Sequence, residues 1–352
     1  MFTRPTLIAT GVAAVLALGL SGCVDSNRTA SSGTDTKCPW SPDSSVTTSA
    51  RIAYQKIPNA DLVVKDRGIL EACMPKAKIT WSNFASGGDV VQAYGAKSVD
   101  LGLMGSSPAA IAMSKPLNLP VSVIWIHDVI GDAESLVARD PSAKKLTDLK
   151  GKTIAVPFGS TSHFSLLQAL QDAGMNPDKD VKLINLEPEK MPSAWQGKQI
   201  DAAWVWNPSL ATLLKTGHLV LSSADTAKAG KPTYDLGTAR NAFMKANPGF
   251  MKQWAKAEDW GVKQIENKPS TAGESVAVEL GVSTKEAVKL FKGYSYLPAT
   301  QQADAQHLGG KMAKDLLSTA KFLYAQGGIA AVAPASVYAA GVDAGPAKSA
   351  SQ

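Results

Sequence analysis

The stretch TIAVPFGSTSHFSLLQALQDAG, Thr153 to Gly174, carries a complete strand–turn–helix unit. Thr153-Ile154-Ala155-Val156 is a short apolar run of strand type. Pro157-Phe158-Gly159 turns the chain, and the hydroxyl cluster Ser160-Thr161-Ser162 follows. Phe164, Leu166, Leu167, Leu170 and Ala173 then recur at helical spacing, and Gly174 marks a stop. The first turn of a helix has backbone N–H groups without intrahelical partners and the positive end of the helix dipole, so such a turn holds an anion. An ordinary cap with no ligand fits the same residues. Recurrence of the device elsewhere in the chain decides between the two.

Upstream, Arg51-Ile52-Ala53-Tyr54 reads as a strand ending at Gln55, Asp61–Ala72 as a helix and Lys78–Trp81 as a second strand. The turn Phe84-Ala85-Ser86-Gly87-Gly88 precedes a helix over Asp89–Ala96, and Val99–Met104 is a third strand. Strands alternating with helices define an α/β fold with a largely parallel sheet, in which ligands lie beyond the carboxyl ends of the strands. Two stretches about a hundred residues apart follow one plan. Val99-Asp100 leads a strand into Gly105-Ser106-Ser107-Pro108 and an Ala-rich helix; Ile200-Asp201 leads Ala202–Val205 into Trp206-Asn207-Pro208 and a helix over Ser209–Lys215. Each Pro stands near the first helical turn, where its missing N–H costs nothing. The repetition predicts two similar lobes aiming helix N-termini at a shared cleft, with the chain crossing between them near Asp128–Glu134 and Tyr234–Arg240.

The N-terminus reads as an export signal over residues 1–22: Arg4, an apolar core from Leu7 to Leu20, then Leu20-Ser21-Gly22 before Cys23. That core is short for a membrane span and polar chain follows it. Residues 23–45 are expected as a flexible tether, being polar and rich in Ser and Thr. Residues 46–133 with 236–338 are expected to form one discontinuous lobe, 134–235 the other, and 339–352 a disordered tail. The net charge of +6 comes from dispersed lysines, so no nucleic-acid footprint is present and anions are favoured. The three cysteines include Cys38 and Cys73, which an oxidising compartment allows to pair or to remain as separate thiols. Four dispersed histidines show no metal-ligand spacing, so neither a metal nor any other cofactor is expected.

The phrases GSSP, AVPFGSTSHFSLLQAL, AAWVWNPSLATLLKTG and KGYSYLPATQQ, in this order between Val46 and Tyr338, resemble the taurine-binding periplasmic proteins of ABC importers, within the wider aliphatic sulfonate and nitrate binders. The resemblance implies a two-lobe, hinge-closing fold, no catalysis, a monomer, and delivery of ligand to a membrane permease. Leu20-Ser21-Gly22-Cys23 resembles the bacterial lipoprotein box, implying lipidation of Cys23 and a place on the outer face of the cell membrane. The chain departs from the family pattern at Leu236-Gly237, where a Trp-bearing strand is usual, and at Trp204 and Asn207.

A taurine-like ligand has a sulfonate and an ammonium. The sulfonate suits neutral donors, for which the candidates are Ser106 and Ser107 from one lobe, Ser160, Thr161 and Ser162 from the other, and Gln55. The ammonium needs carboxylates or π faces in a dry cleft; Glu134 and Asp235 lie at the expected crossovers, and Trp204 and Trp206 share one face of a strand. His163 reads as structural and Tyr294 and Tyr296 as neighbours of the hinge. Two alternatives stand beside this reading: a binder of plain alkanesulfonates or another small anion, for which Glu134 and Asp235 would be unwanted, and an enzyme like the related pyrimidine-precursor synthases, with His163 as the reactive group.

Overall fold

The computed structural model describes residues 37–352; the segment expected as an export signal, Cys23 and most of the expected tether lie outside the described residues. Among the described residues, eleven strands form two sheets. In chain order they are β1 (Ser49–Tyr54), β2 (Lys78–Asn83), β3 (Leu101–Gly105), β4 (Val121–Ile130), β5 (Glu134–Ala138), β6 (Thr153–Val156), β7 (Lys182–Asn185), β8 (Ala202–Trp206), β9 (His218–Ser222), β10 (Tyr234–Arg240) and β11 (Tyr294–Ser295). The first sheet runs β11-β4-β10-β3-β1-β2 and the second β7-β6-β8-β5-β9. Each sheet, with its helices, is one lobe.

Both sheets are mixed, which corrects the expectation of a largely parallel arrangement. β1 pairs parallel with β2 and β3, and β6 with β7 and β8, as strand–helix–strand units require. β10 instead inserts antiparallel between β3 and β4, and β5 pairs antiparallel with β8 and β9. Tyr234–Arg240 is therefore a central strand of the first sheet, not a loose crossover. The chain leaves that sheet between Ile130 and Glu134 and returns to it at Tyr234, so Tyr234 and Asp235 hydrogen-bond with the first lobe although they end the range expected for the second.

Local chemistry explains the other departures. The helix expected over Asp61–Ala72 is two helices, Ala60–Asp66 and Ile69–Cys73, because Gly68 between them takes φ +61°, a left-handed conformation open to glycine. The last long helix begins at Lys311 rather than Asp304. Residues 37–45 are not free tether: Cys38 is disulfide-bonded to Cys73, with 4.8 Å between Cα atoms, and the Trp40 indole Nε1 donates to Gln253. The tail expected to be disordered holds a helix, Gly345–Ala350, whose Ala347 is fully buried in the core of the first lobe and which packs on the helix Pro248–Asn267. Small residues keep this contact close, and their low hydrophobicity concealed it. Among the described residues, no helix is long and apolar enough to cross a membrane.

Candidate ligand-binding site

Three helix N-termini meet between the lobes. The helices Gly87–Gly95 and Ser106–Met113 follow β2 and β3 in the first lobe, and Thr161–Asp172 follows β6 in the second. Their approach is so close that small residues are required. A Cβ on Gly87 would lie 2.6 Å from Pro108 Cγ, and one on Gly105 would lie 2.5 Å from Thr161 Cγ2, across the cleft. The starts of all three helices therefore line one small cavity, at Gly87, at Gly105 and Pro108, and at Ser160 and Thr161, where first-turn N–H groups are without intrahelical partners. Ser86 caps the first helix by accepting from Asp89 N, and Ser160 caps the third by accepting from His163 N. The helix starting at Ser106 has no side-chain cap.

Two carboxylates, Glu134 and Asp235, line the same cavity, with Asp128 buried beside them. Glu134 opens β5 directly opposite Trp206 at the end of β8, and opposed residues of antiparallel strands project to one side. Asp235 faces Asp128 across β10 and β4 in the same manner. All three acids are buried. Glu134 is held at both oxygens: Thr161 Oγ1 donates to Oε2 at 2.6 Å and Ser223 Oγ to Oε1 at 2.9 Å. Burial raises its pKa, and the Thr161 and Ser223 hydroxyls pull it back towards the charged form. The Ser162 hydroxyl also favours that form, although it makes no geometric hydrogen bond. Burial, then the charge of Glu134, pushes Asp235 up to about 8. Asp128 rises well above the usual carboxylate range through burial, then through Asp235 and Glu134. Asp128 has no hydrogen-bond partner at either oxygen by geometry, and the Tyr294 hydroxyl is likewise buried without one.

Of the residues selected from sequence, Gln55, Glu134, Ser160, Thr161, Trp206 and Asp235 line the cavity. Their roles differ from a uniform set of anion donors. Gln55 uses one amide N–H on Leu103 O, leaving the other. Ser160 Oγ donates to Pro157 O, and Thr161 is committed to Glu134, so the anion-binding capacity of this turn lies in backbone N–H groups. Ser106, Ser107, Ser162 and Trp204 do not line it. Ser106 Oγ accepts from Tyr234 N and ties its helix to β10; Ser107 and Ser162 are fully buried. Trp204 is fully buried in the core of the second lobe beside Leu136 and Val156, leaving Trp206 as the aromatic wall. His163 stacks on Phe158 at 4.6 Å, consistent with a structural part.

Sequence reasoning missed Asp128, Tyr294 as a cavity residue, and Ser223. Asp128 did carry a signal, as an acid inside the apolar run VSVIWIHDVI. The lobes also touch at the rim. Phe164 meets Phe322 edge-on at 5.2 Å, Lys56 lies 3.6 Å from Glu189, and Gln326 reaches Gln171.

A cleft between two mixed α/β lobes, ringed by helix N-termini, is the architecture of a two-lobe periplasmic binding protein. The chain belongs to the NMT1-like family, whose model matches residues 45–275. It is 36% identical over 268 residues to the taurine-binding periplasmic protein of Escherichia coli K12, covering 73% of this chain and 80% of that one. Two solved structures share its fold. The alkanesulfonate-binding protein SsuA of Xanthomonas axonopodis pv. citri, bound to MOPS, superposes with TM-score 0.67 at 23% identity, over 84% of this chain and 99% of that one. The aliphatic sulphonate binding protein SsuA of Escherichia coli gives TM-score 0.67 at 22% identity, over 82% and 91%.

Proposed function

We propose that this protein is the substrate-binding component of an ABC importer, not an enzyme, and that it captures taurine or a close aminosulfonate between its lobes. One observation carries the reading: a single small cavity presents buried carboxylates and converging helix N-termini together. A plain anion gains from the N-termini alone and leaves the acids without a partner. A zwitterion satisfies both, its sulfonate against N–H groups and its ammonium among Asp128, Glu134 and Asp235 with Trp206 as a π wall. The relationship to the taurine-binding protein of Escherichia coli supports the same ligand class.

The remaining parts of the proposal follow from this role. The crossovers at 131–133 and 229–233 act as the hinge, and the Phe164–Phe322 and Lys56–Glu189 contacts form on closure. The closed monomer delivers its ligand to a permease. Export, cleavage before Cys23 and lipidation of that cysteine hold the protein at the outer face of the membrane, as its sequence Leu20-Ser21-Gly22-Cys23 supports.

Calorimetry of the chain Val24–Gln352 against taurine, ethanesulfonate, nitrate and glycine betaine tests the reading. Tight taurine binding with weak ethanesulfonate binding is expected. Preference for ethanesulfonate would discard the ammonium site while leaving the anion site.

A further inference from the structure

Behind the cleft, on the far side of β4, three ionisable side chains from distant parts of the chain meet in the core of the first lobe. Asp61 comes from the helix Ala60–Asp66, His127 from β4 and Glu258 from the helix Pro248–Asn267. None is more than 2% exposed. The β4–β10 pairing shifts by one residue at this point, Asp235 standing opposite Asp128 and Leu236 opposite Ile126. His127 is the extra residue, and such a bulge re-aims a side chain. It turns the imidazole away from the cleft, with Nδ1 3.4 Å from Glu258 Oε2 and Nε2 3.8 Å from Asp61 Oδ2. Gly237 of β10 makes room for the ring, since a Cβ there would lie 3.2 Å from His127 Nε2 and 2.9 Å from Trp254.

Asp61 and Glu258 lie close enough to influence each other through a shared hydrogen bond, yet most polar atoms of the cluster find no partner by geometry. Asp61 Oδ1, His127 Nδ1, both oxygens of Glu258 and Asn59 Nδ2 are buried without a hydrogen-bond partner. Buried polar groups left unpaired are costly, and five in one place call for a common partner. Four of the five are acceptors or ring nitrogen, which a cation serves and an anion does not.

We propose that Asp61, His127 and Glu258 form a buried site for a divalent metal ion of zinc type. One ligating atom from each lies within 4.8 Å of the others. Ligands at 2.0–2.2 Å on a tetrahedral ion stand roughly 3.4 Å apart. The His127 Nδ1–Glu258 Oε2 spacing of 3.4 Å already matches; Asp61 Oδ2 faces the other ring nitrogen at 3.8 Å, so the Asp61 carboxylate has to shift to join an ion held on Nδ1. One imidazole nitrogen with two carboxylates is a zinc donor set; calcium and magnesium require six or more oxygens and are disfavoured. Two carboxylates neutralise the ion's charge, as a dry core demands. The histidines' dispersal along the sequence concealed the site. Because the ion joins a strand to two helices, binding it stabilises the fold. The proposal is independent of the cleft ligand.

The chain Val24–Gln352 is unfolded with chelator, refolded with or without Zn²⁺ under conditions that keep the disulfide, and dialysed. Elemental analysis and thermal unfolding then read the outcome. About one zinc per chain and a raised melting temperature are expected, both lost in Glu258→Gln, a near-isosteric change, and in His127→Ala. Near-UV circular dichroism identifies any variant that fails to fold, and Co²⁺ in place of Zn²⁺ gives a visible absorption band that is absent in Glu258→Gln. Zinc retention equal in the parent and Glu258→Gln, or no retention and no thermal gain in the parent, would overturn the site.

Discussion

Asp128 and Asp235 stand directly opposite one another on β4 and β10, both buried at the cleft and both near Glu134. Carboxylates so placed resist ionising together, and burial adds to the resistance. The arrangement favours protonated carboxyls in the unliganded cleft, which the ammonium of the proposed ligand would displace. Under the proposed function, this arrangement favours a ligand carrying a cation as well as an anion.

Removing one of these charges should separate ligands. Asp235→Asn is expected to weaken taurine by roughly 1.5–3 kcal/mol, the range for a hydrogen bond to a charged group, and to spare ethanesulfonate. Calorimetry with both ligands checks it. Equal losses would remove Asp235 from the ammonium site.

Stability should fall with rising pH. An unfolded Asp titrates near 3.9, whereas Asp235 titrates at about 8 in the fold. The folded state therefore binds more protons between those values, and stability is lost as pH rises through that window. Thermal unfolding of the unliganded protein should give a lower melting temperature at pH 8 than at pH 5, with a smaller difference in Asp235→Asn. Taurine affinity should rise over the same interval, with proton release detected by calorimetry in buffers of different ionisation enthalpy.

Closure depends on Gly105. Its added methyl in Gly105→Ala meets Thr161 Cγ2 of the other lobe at 2.5 Å. Overpacking of this kind costs about 1–3 kcal/mol, so every ligand should bind roughly 5- to 150-fold more weakly. The open form that the proposed hinge implies lacks the clash, so the unliganded melting temperature should change little. Loss for taurine alone would show that the methyl disturbs the acids rather than closure.

The disulfide between Cys38 and Cys73 spans 35 residues. Closing a loop of that length stabilises by about 4 kcal/mol in the chain-entropy model. The double variant Cys38→Ser with Cys73→Ser should melt several degrees lower, while taurine affinity at 25 °C stays unchanged because the bond is remote from the cleft residues.

What the sequence revealed was local. The unit from Thr153 to Asp172 was legible because strand, turn and helix lie next to one another, and β6 and its helix form where expected. The pairing of Asp128 with Asp235 joins strands remote in sequence, and no periodicity records such a register. Thr161 was legible as a hydroxyl at a helix start, but its commitment to Glu134 depends on how β5 meets that helix. Trp204 and Trp206 were correctly placed on one face, yet depth along β8 buries one in the core and leaves the other at the cavity. Composition misled at the tail, where Ala and Gly form a tight helix contact instead of free chain.

The central claim is that one cleft reads both ends of a zwitterion, and a crystal structure of the taurine complex tests it most directly. The amine nitrogen should lie within hydrogen-bonding distance of Asp235 and Glu134 or Asp128. The sulfonate oxygens should meet the N–H groups at the starts of the helices Thr161–Asp172 and Ser106–Met113. Taurine bound with its amine pointing to solvent, or bound outside the cleft, would contradict the claim.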